Sequence, residues 1–189
     1  KHKAGKDPSR ELNVATYISA AVVIIIGGLA SFFVFKDVKL YDNFALGWAS
    51  PWLSSILGIA AGVAIGKITE IYTSTKYRSV KNLAKIATEG SAFVVTKGDA
   101  IGSKSCLFPV LVIGVSLLGS GMICGIYGIA IAALGMLSFV ATTVSIDAFG
   151  PIADNAGGIA ESCHLEPEVR TITDKLDAVG NTTAAIGKV

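Results

Sequence analysis

The sequence predicts an all-α fold, a polytopic transmembrane helix bundle with four crossings and the start of a fifth helix. Its 189 residues are 52% hydrophobic and only 16% charged, and the mean hydropathy is +0.63. Soluble domains have about 25% charged residues, so this composition is typical of a membrane protein. The charges are also absent from three long runs, which have the lengths that membrane crossings need.

The uncharged runs give the crossings in order. Residues 13–35 and 43–66 each have the length of one spanning helix, about 20 residues. The run 105–146 has 42 residues, or roughly 63 Å of helix, so it must turn back once. The Gly-Ser-Gly cluster at 119–121, with Gly125 close by, is the expected turn, because glycine clusters mark turns. The chain is thus predicted to be a single membrane-domain segment with crossings at about 14–35, 46–71, 105–120 and 125–150.

The distribution of Lys and Arg predicts the orientation of the crossings. The connection 72–104 is rich in both, and cytoplasmic loops collect these residues. We therefore expect the amino-terminal tail, this connection and everything after about 150 to be cytosolic. The connection is predicted to be a solvated connector with a short helix from Val80 to Ala87.

Several classes of protein are not supported by the composition. A net charge of +2 gives no basic face for a nucleic acid, so no nucleic-acid partner is expected. Cys106, Cys124 and Cys163 are odd in number and have no metal-like spacing, which argues against a disulfide framework and a zinc site. The chain begins at Lys1 without a methionine, and we interpret it as an internal piece of a larger protein or a truncated product.

The acidic residues concentrate at the end of the chain, where half of them lie in the last 43 residues. The fourth crossing is predicted to continue as a cytosolic helix to 161. Asp147, Asp154 and Glu161 are spaced by seven and so share one face of that helix. Pro151 is expected to kink the helix and to free the carbonyl group of Asp147.

A further helix is predicted from about 171. Asp174, Asp177, Asn181 and Lys188 form one stripe on it, with Ala184 inside the stripe. Carboxylate and amide oxygens suit Mg²⁺, and a lysine can meet a phosphate oxygen, so the two helices resemble the parts of a Mg²⁺–phosphate site. An ion pathway or a purely structural polar seam explains the same pattern.

The simpler interpretations of the neighbouring residues are structural. Glu166, Glu168 and Arg170 read as a solvated loop, and His164 reads as a surface residue. Polar residues at a membrane edge such as Asp154 and Asn155 are functional by default.

The stretch 125–188 closely resembles the membrane-integral, proton-pumping pyrophosphatases. The most specific segments are DNAGGIAE at 154–161 and GNTTAAIGK at 180–188. DPSRELNVATY at 7–17 and TEIYTS at 69–74 are also similar, whereas 87–99 departs from the Thr-Gly-rich segment usual in that family.

The resemblance implies a homodimer in a lipid bilayer that hydrolyses Mg²⁺-pyrophosphate on the cytosolic side and pumps H⁺. By this likeness Asp154 and Asn181 contact the Mg²⁺-pyrophosphate complex, and Lys188 binds substrate. Ala184 and Gly187 match members that depend on K⁺, because a lysine replaces that ion in the others. The vacuolar or acidocalcisomal membrane is implied in the same way.

The resemblance also implies that this segment holds only part of an active site. The Asp-rich DxxxD loop and the carboxy-terminal Asp and Lys residues of the family are not in this sequence. No catalytic residue is therefore expected within it, and we expect the isolated chain neither to hydrolyse pyrophosphate nor to pump. A passive channel or ion-coupled carrier segment and a non-catalytic truncated paralogue are the alternatives.

Overall fold

The computed structural model describes residues 8–37, 44–138 and 140–187 and is entirely α-helical apart from turns and one short 3-10 helix. No strand occurs in these residues, so the predicted all-α class is confirmed. The seven helices are α1 (Pro8–Phe35), α2 (Ala49–Thr73), α3 (Arg78–Ile86), α4 (Ser91–Leu137), α5 (Val140–Asp147), α6 (Phe149–Ser162) and α7 (Pro167–Ile186).

Among the described residues, three helical stretches are long and apolar enough to cross a membrane, namely Arg10–Phe35, Ala49–Glu89 and Ser91–Ser162. The third has 72 residues, far more than the about 20 of one crossing, and it contains both predicted crossings after 104. Large apolar side chains such as Leu118, Met122 and Ile126 are exposed on its surface, as expected where a helix faces lipid. The protein is therefore an integral membrane protein.

The turn in the third stretch lies later than the glycine cluster predicts. α4 is interrupted at Cys124 and Gly125, whose φ and ψ are not helical, whereas the cluster at 119–121 remains helical. Gly125 has a φ of 60°, a value that glycine adopts without steric cost. Cys124 and Gly125 divide α4 into a first arm, residues 91–123, and a second arm, residues 126–137. The two arms fold back on each other, since a Cβ on Gly121 would lie 3.5 Å from the side chain of Ile129.

The connection 72–104 is mostly helical rather than a loop. α3 and the 3-10 helix Ala87–Glu89 lie in it, close to the predicted helix Val80 to Ala87. α4 then begins at Ser91, well before the predicted start at 105. Charged residues mark where a helix leaves the membrane and not where its hydrogen bonds end, so the crossing is shorter than the helix.

Residues Val14–Ile65 and Phe108–Ala141 form one compact unit, which we call the α1–α2 unit. Within it, Trp52 on α2 donates a hydrogen bond of 3.0 Å from Nε1 to the carbonyl oxygen of Ile24 on α1. Gly28 leaves room for the same indole, because a Cβ there would lie 3.0 Å from Nε1. Ala20 and Ile59 are buried in the same contact.

Glycines bring α2 and the second arm of α4 into backbone contact. A Cβ on Gly58 would overlap the carbonyl group of Ala132, and a Cβ on Gly135 would overlap the carbonyl group of Ser55. Small residues allow such close approach between membrane helices. Gly58 and Gly135 therefore let the backbones of the two helices meet.

Buried serines in the α1–α2 unit predict effects on stability that differ in sign between position 54 and position 50. Among the described residues, Ser54 Oγ and Ser120 Oγ are buried without a hydrogen-bond partner. Ser50 Oγ, also fully buried, accepts a hydrogen bond of 2.9 Å from the backbone N–H of Leu46. An unsatisfied buried hydroxyl costs about 1–3 kcal/mol, whereas a satisfied one contributes about 1 kcal/mol.

We therefore expect Ser54→Ala to leave the thermal midpoint of the full-length protein in detergent unchanged or higher, and Ser50→Ala to lower it. A lower midpoint for Ser54→Ala than for Ser50→Ala would contradict this difference.

Candidate functional site

The second compact unit comprises Lys1–Asn13, Gly66–Leu107 and Thr142–Val189 and contains both motifs of the predicted site. α6 carries the segment 154–161, and α7 carries most of the segment 180–188. The helices pack against each other as a hairpin. We call this pair the α6–α7 hairpin.

The loop of the hairpin is shorter than the sequence predicts. α6 ends at Ser162 and α7 begins at Pro167, not near 171, because proline is favoured at the first position of a helix. The backbone N–H of Leu165 donates to the carbonyl oxygen of Ala160 at 3.0 Å and closes the end of α6. His164 has a φ of 51° in this turn.

Small residues form the contact face of the hairpin. The buried positions of α6 are Gly150, Ala153, Gly157 and Ala160, and those of α7 are Thr173 and Gly180. Among the glycines of the hairpin, those at 150 and 180 approach each other most closely, since a Cβ on Gly180 would lie 2.6 Å from the Cα of Gly150. Any larger side chain at Gly180 must push the helices apart.

Asp154 and Asn181 lie on the two helices of this hairpin, each directly after a buried small residue. Asp154 follows Ala153 on α6, and Asn181 follows Gly180 on α7; both are exposed. The Asn181 side-chain amide donates a hydrogen bond of 3.1 Å from Nδ2 to Oδ2 of Asp177 one turn earlier. That bond uses the amide nitrogen of Asn181, so the amide oxygen is the atom that can act as a ligand.

The helix before the hairpin is interrupted close to the predicted kink. α5 ends at Asp147 and α6 begins at Phe149, so Pro151 lies in the first turn of α6. Proline has no N–H for the carbonyl group four residues earlier, which belongs to Asp147.

The positions that the resemblance connects with K⁺ lie at the end of α7. Ala184 is half-buried and Gly187 is exposed. A Cβ on Gly187 would lie 3.8 Å from the side chain of Asp147, so a larger residue there meets a carboxylate. Lys188 lies outside the described residues, and its predicted role is not tested by the structure.

Arg170 is not in a solvated loop, as the sequence suggested, but is a polar centre of the hairpin. Its Nη1 lies 2.8 Å from Oε2 of Glu161 and donates to the carbonyl oxygen of Gly157 at 3.3 Å. Its Nε lies 2.9 Å from Oδ1 of Asp174 on α7 itself. The hydrogen bond to Glu161, together with the charge of Asp174, raises the pKa of Arg170 above its usual value.

The ion pairs of Arg170 involve only some of the acidic residues in the two predicted stripes. Glu161 and Asp174 both pair with Arg170, whereas Asp154 forms no ion pair with another described residue. Of the three acids spaced by seven, Asp154 and Glu161 lie on α6, whereas Asp147 is the last residue of α5. The spacing did not reveal the pairing with Arg170. That pairing depends on which residues of α7 face α6.

Mg²⁺ was predicted at this site, and the described residues fit only part of its coordination shell. In residues 8–37, 44–138 and 140–187, no three His, Cys, Asp or Glu side chains lie close enough together to hold a metal ion. Asp154 supplies a carboxylate and Asn181 an amide oxygen, both of which suit Mg²⁺. The remaining oxygen ligands would have to come from pyrophosphate, water or other parts of a longer protein.

A buried carboxylate on α2 was missed from the sequence. Glu70 is 8% exposed, and its Oε2 accepts a hydrogen bond of 2.8 Å from Nζ of Lys67. The available signal was an acid and a lysine three residues apart within the crossing 46–71, since charged residues inside a membrane helix are expensive and usually paired.

Comparison with known proteins gives a consistent result over the whole chain. The family model described as "Inorganic H+ pyrophosphatase" matches residues 1–189. The chain is 50% identical over 188 residues to the "K(+)-stimulated pyrophosphate-energized sodium pump" of Thermotoga maritima, covering 98% of this chain and 26% of that protein.

A relative that is named a proton pump matches over almost the same region. This is the "K(+)-insensitive pyrophosphate-energized proton pump" of Chloroflexus aurantiacus, which is 34% identical over 190 residues, covering 94% of this chain and 24% of the relative. The chain thus spans about a quarter of the length of the relatives it matches. With its membrane helices and with both motifs on one helical hairpin, the chain belongs to the inorganic H⁺ pyrophosphatase family of membrane proteins.

Proposed function

We propose that this chain is a segment of an ion pump that couples hydrolysis of Mg²⁺-pyrophosphate on the cytosolic side to ion transport across a membrane. The observation that supports this most is the match of the family model to every residue of the chain. The hairpin adds a physical reason. It pairs α6, which carries the carboxylate of Asp154, with α7, which carries the amide of Asn181, at the predicted membrane edge.

The proposed site consists of Asp154, Asn181 and Lys188. Asp154 and Asn181 contribute oxygen atoms to Mg²⁺, which neutralises the charge of pyrophosphate when it is bound. Lys188 binds a phosphate oxygen as a cation. The attacking water and its base belong to parts of the protein outside this chain, so none of these residues is proposed to be catalytic. We also propose that the pump works as a homodimer.

The transported ion has two candidates. The resemblance in the sequence favours H⁺, whereas the 50% identical relative is named a sodium pump and the 34% identical one a proton pump. The vacuolar or acidocalcisomal membrane stays a prediction, and both relatives named above are bacterial proteins.

The experiment that tests the function uses the full-length protein in sealed membrane vesicles. We expect Mg²⁺-dependent hydrolysis of pyrophosphate. It should be accompanied by vesicle acidification if the pump transports H⁺, or by uptake of ²²Na⁺ if it transports Na⁺. Hydrolysis with neither transport contradicts a pump, transport without hydrolysis supports a channel or carrier, and neither activity supports a non-catalytic paralogue.

The stimulation by K⁺ depends, in this proposal, on the absence of a side-chain cation at position 184. Ala184→Lys in the full-length protein is expected to abolish K⁺ stimulation while hydrolysis continues, because an ammonium group takes the place of the ion. The measurement is the hydrolysis rate with and without K⁺ at constant ionic strength.

The matched control for this substitution is Ala184→Met, which adds similar length without charge. It should keep its response to K⁺. Equal loss of the response in both variants would mean that side-chain size, and not charge, is the cause.

A further inference from the structure

The α6–α7 hairpin is held together at two places of different chemistry. At one, Gly150 and Gly180 bring the two backbones into contact. At the other, toward the connecting loop, the guanidinium of Arg170 joins the side chain of Glu161 and the carbonyl oxygen of Gly157. The glycine contact sets how closely the helices approach, and the directional hydrogen bonds of Arg170 add a second fixed point along their length.

Asp154 lies between these two places. On α6 it is between Gly150 and Gly157, and on α7 Asn181 is the residue next to Gly180. A shift of one helix along the other would therefore change the position of the carboxylate relative to the amide. Displacements of about 1 Å are enough to weaken a site that depends on orientation by about 100-fold.

The charge of Arg170 acts on the same site. One guanidinium binds two carboxylates, those of Glu161 and Asp174. A planar guanidinium suits such multiple contacts because its donors point in fixed directions, whereas the ammonium group of lysine acts as a point charge.

We propose that Arg170 is the positioning residue of the pyrophosphate site, which through Glu161, Gly157 and Asp174 fixes the register of α6 against α7 and thereby aligns Asp154 with Asn181. Arg170 itself does not touch the substrate. The inference rests on the proposed function, because it assigns a role within that site.

The test is a charge exchange in the full-length pump in membranes. Arg170→Glu is expected to raise the half-saturating concentration of Mg²⁺-pyrophosphate about tenfold or more, with a smaller change in kcat. The double variant Glu161→Arg with Arg170→Glu restores the ion pair between the helices but not the contacts with Gly157 and Asp174, so it should bring that concentration part of the way back.

The matched control is Lys175→Glu, which makes the same change in charge at an exposed position of α7. It should leave the half-saturating concentration unchanged. The inference is overturned if Arg170→Glu behaves like Lys175→Glu, or if the double variant is as impaired as Arg170→Glu alone.

A second variant covers the case in which Arg170→Glu does not reach the membrane. Arg170→Lys keeps the charge but cannot make the three contacts at once, so a raised half-saturating concentration supports the inference and an unchanged one overturns it. Hydrolysis by the unmodified protein separates the two proposals. Its absence overturns the proposed function together with this inference, whereas hydrolysis that is insensitive to Arg170 overturns this inference alone.

Discussion

Asp154→Asn in the full-length protein is expected to lower the rate of pyrophosphate hydrolysis at least about 100-fold. Asparagine keeps the size of the side chain and one oxygen but removes the negative charge that the proposed site offers to Mg²⁺. Asp154 is exposed and forms no ion pair with another described residue. The substitution should therefore leave folding intact and act on the site alone.

Two further variants separate a local from a general effect. Asn181→Ala removes the amide on the facing helix and should also reduce hydrolysis, since the proposal needs both helices. Glu168→Gln removes the same charge from the first turn of α7, where the side chain is exposed, and should hydrolyse normally. The measurement is phosphate release by membranes containing equal amounts of each protein.

Hydrolysis that survives Asp154→Asn unchanged would mean that the site assignment is wrong, even if the chain belongs to an active pump. A loss of activity in Glu168→Gln as large as in Asp154→Asn would instead show that the negative charge of the whole hairpin matters. In that case a specific role for Asp154 would be unsupported.

The sequence predicted the all-α class because charge and hydropathy are local properties. An uncharged run such as 105–146 predicts a membrane segment from composition alone. It could not show which of several glycines turns the chain, since Gly119, Gly121 and Gly125 are all free to do so. The structure selects Gly125, the residue with the positive φ.

The candidate site shows the same limit at the level of side chains. The motifs identified Asp154 and Asn181, and the structure places them on paired helices. Arg170 was misread as part of a solvated loop, because nothing in its own neighbourhood reveals the contact with Glu161 on another helix. Contacts between helices depend on their register, which a single sequence does not encode locally.

The largest effect on stability is expected at Gly58, where α2 meets the second arm of α4. Gly58→Ala adds a methyl group that overlaps the carbonyl group of Ala132. Backbone atoms cannot rotate away as a side chain can, so the helices must separate. We expect a loss of about 3 kcal/mol or more, at or beyond the upper end of the usual cost of overpacking, and little folded protein in the membrane.

Gly114→Ala is the matched control for this substitution. Gly114 also lies within a helix, but apart from its chain neighbours and the adjacent backbone of its own helix, no atom of a described residue lies within 4 Å of the Cβ that the substitution adds. Alanine is the better helix former by up to about 1 kcal/mol, so this variant should be as stable as the unmodified protein or more stable. The same chemical change thus has opposite expected signs at the two positions.

The two glycine variants are compared by their thermal midpoints and yields as full-length proteins in detergent. Adding Ala132→Gly to Gly58→Ala should not restore stability, because the overlapping atoms of residue 132 belong to its backbone. Recovery in that double variant would show that the methyl group of Ala132 was the obstacle. It would follow that α2 and α4 meet through side chains, with their backbones farther apart than the glycine contact implies.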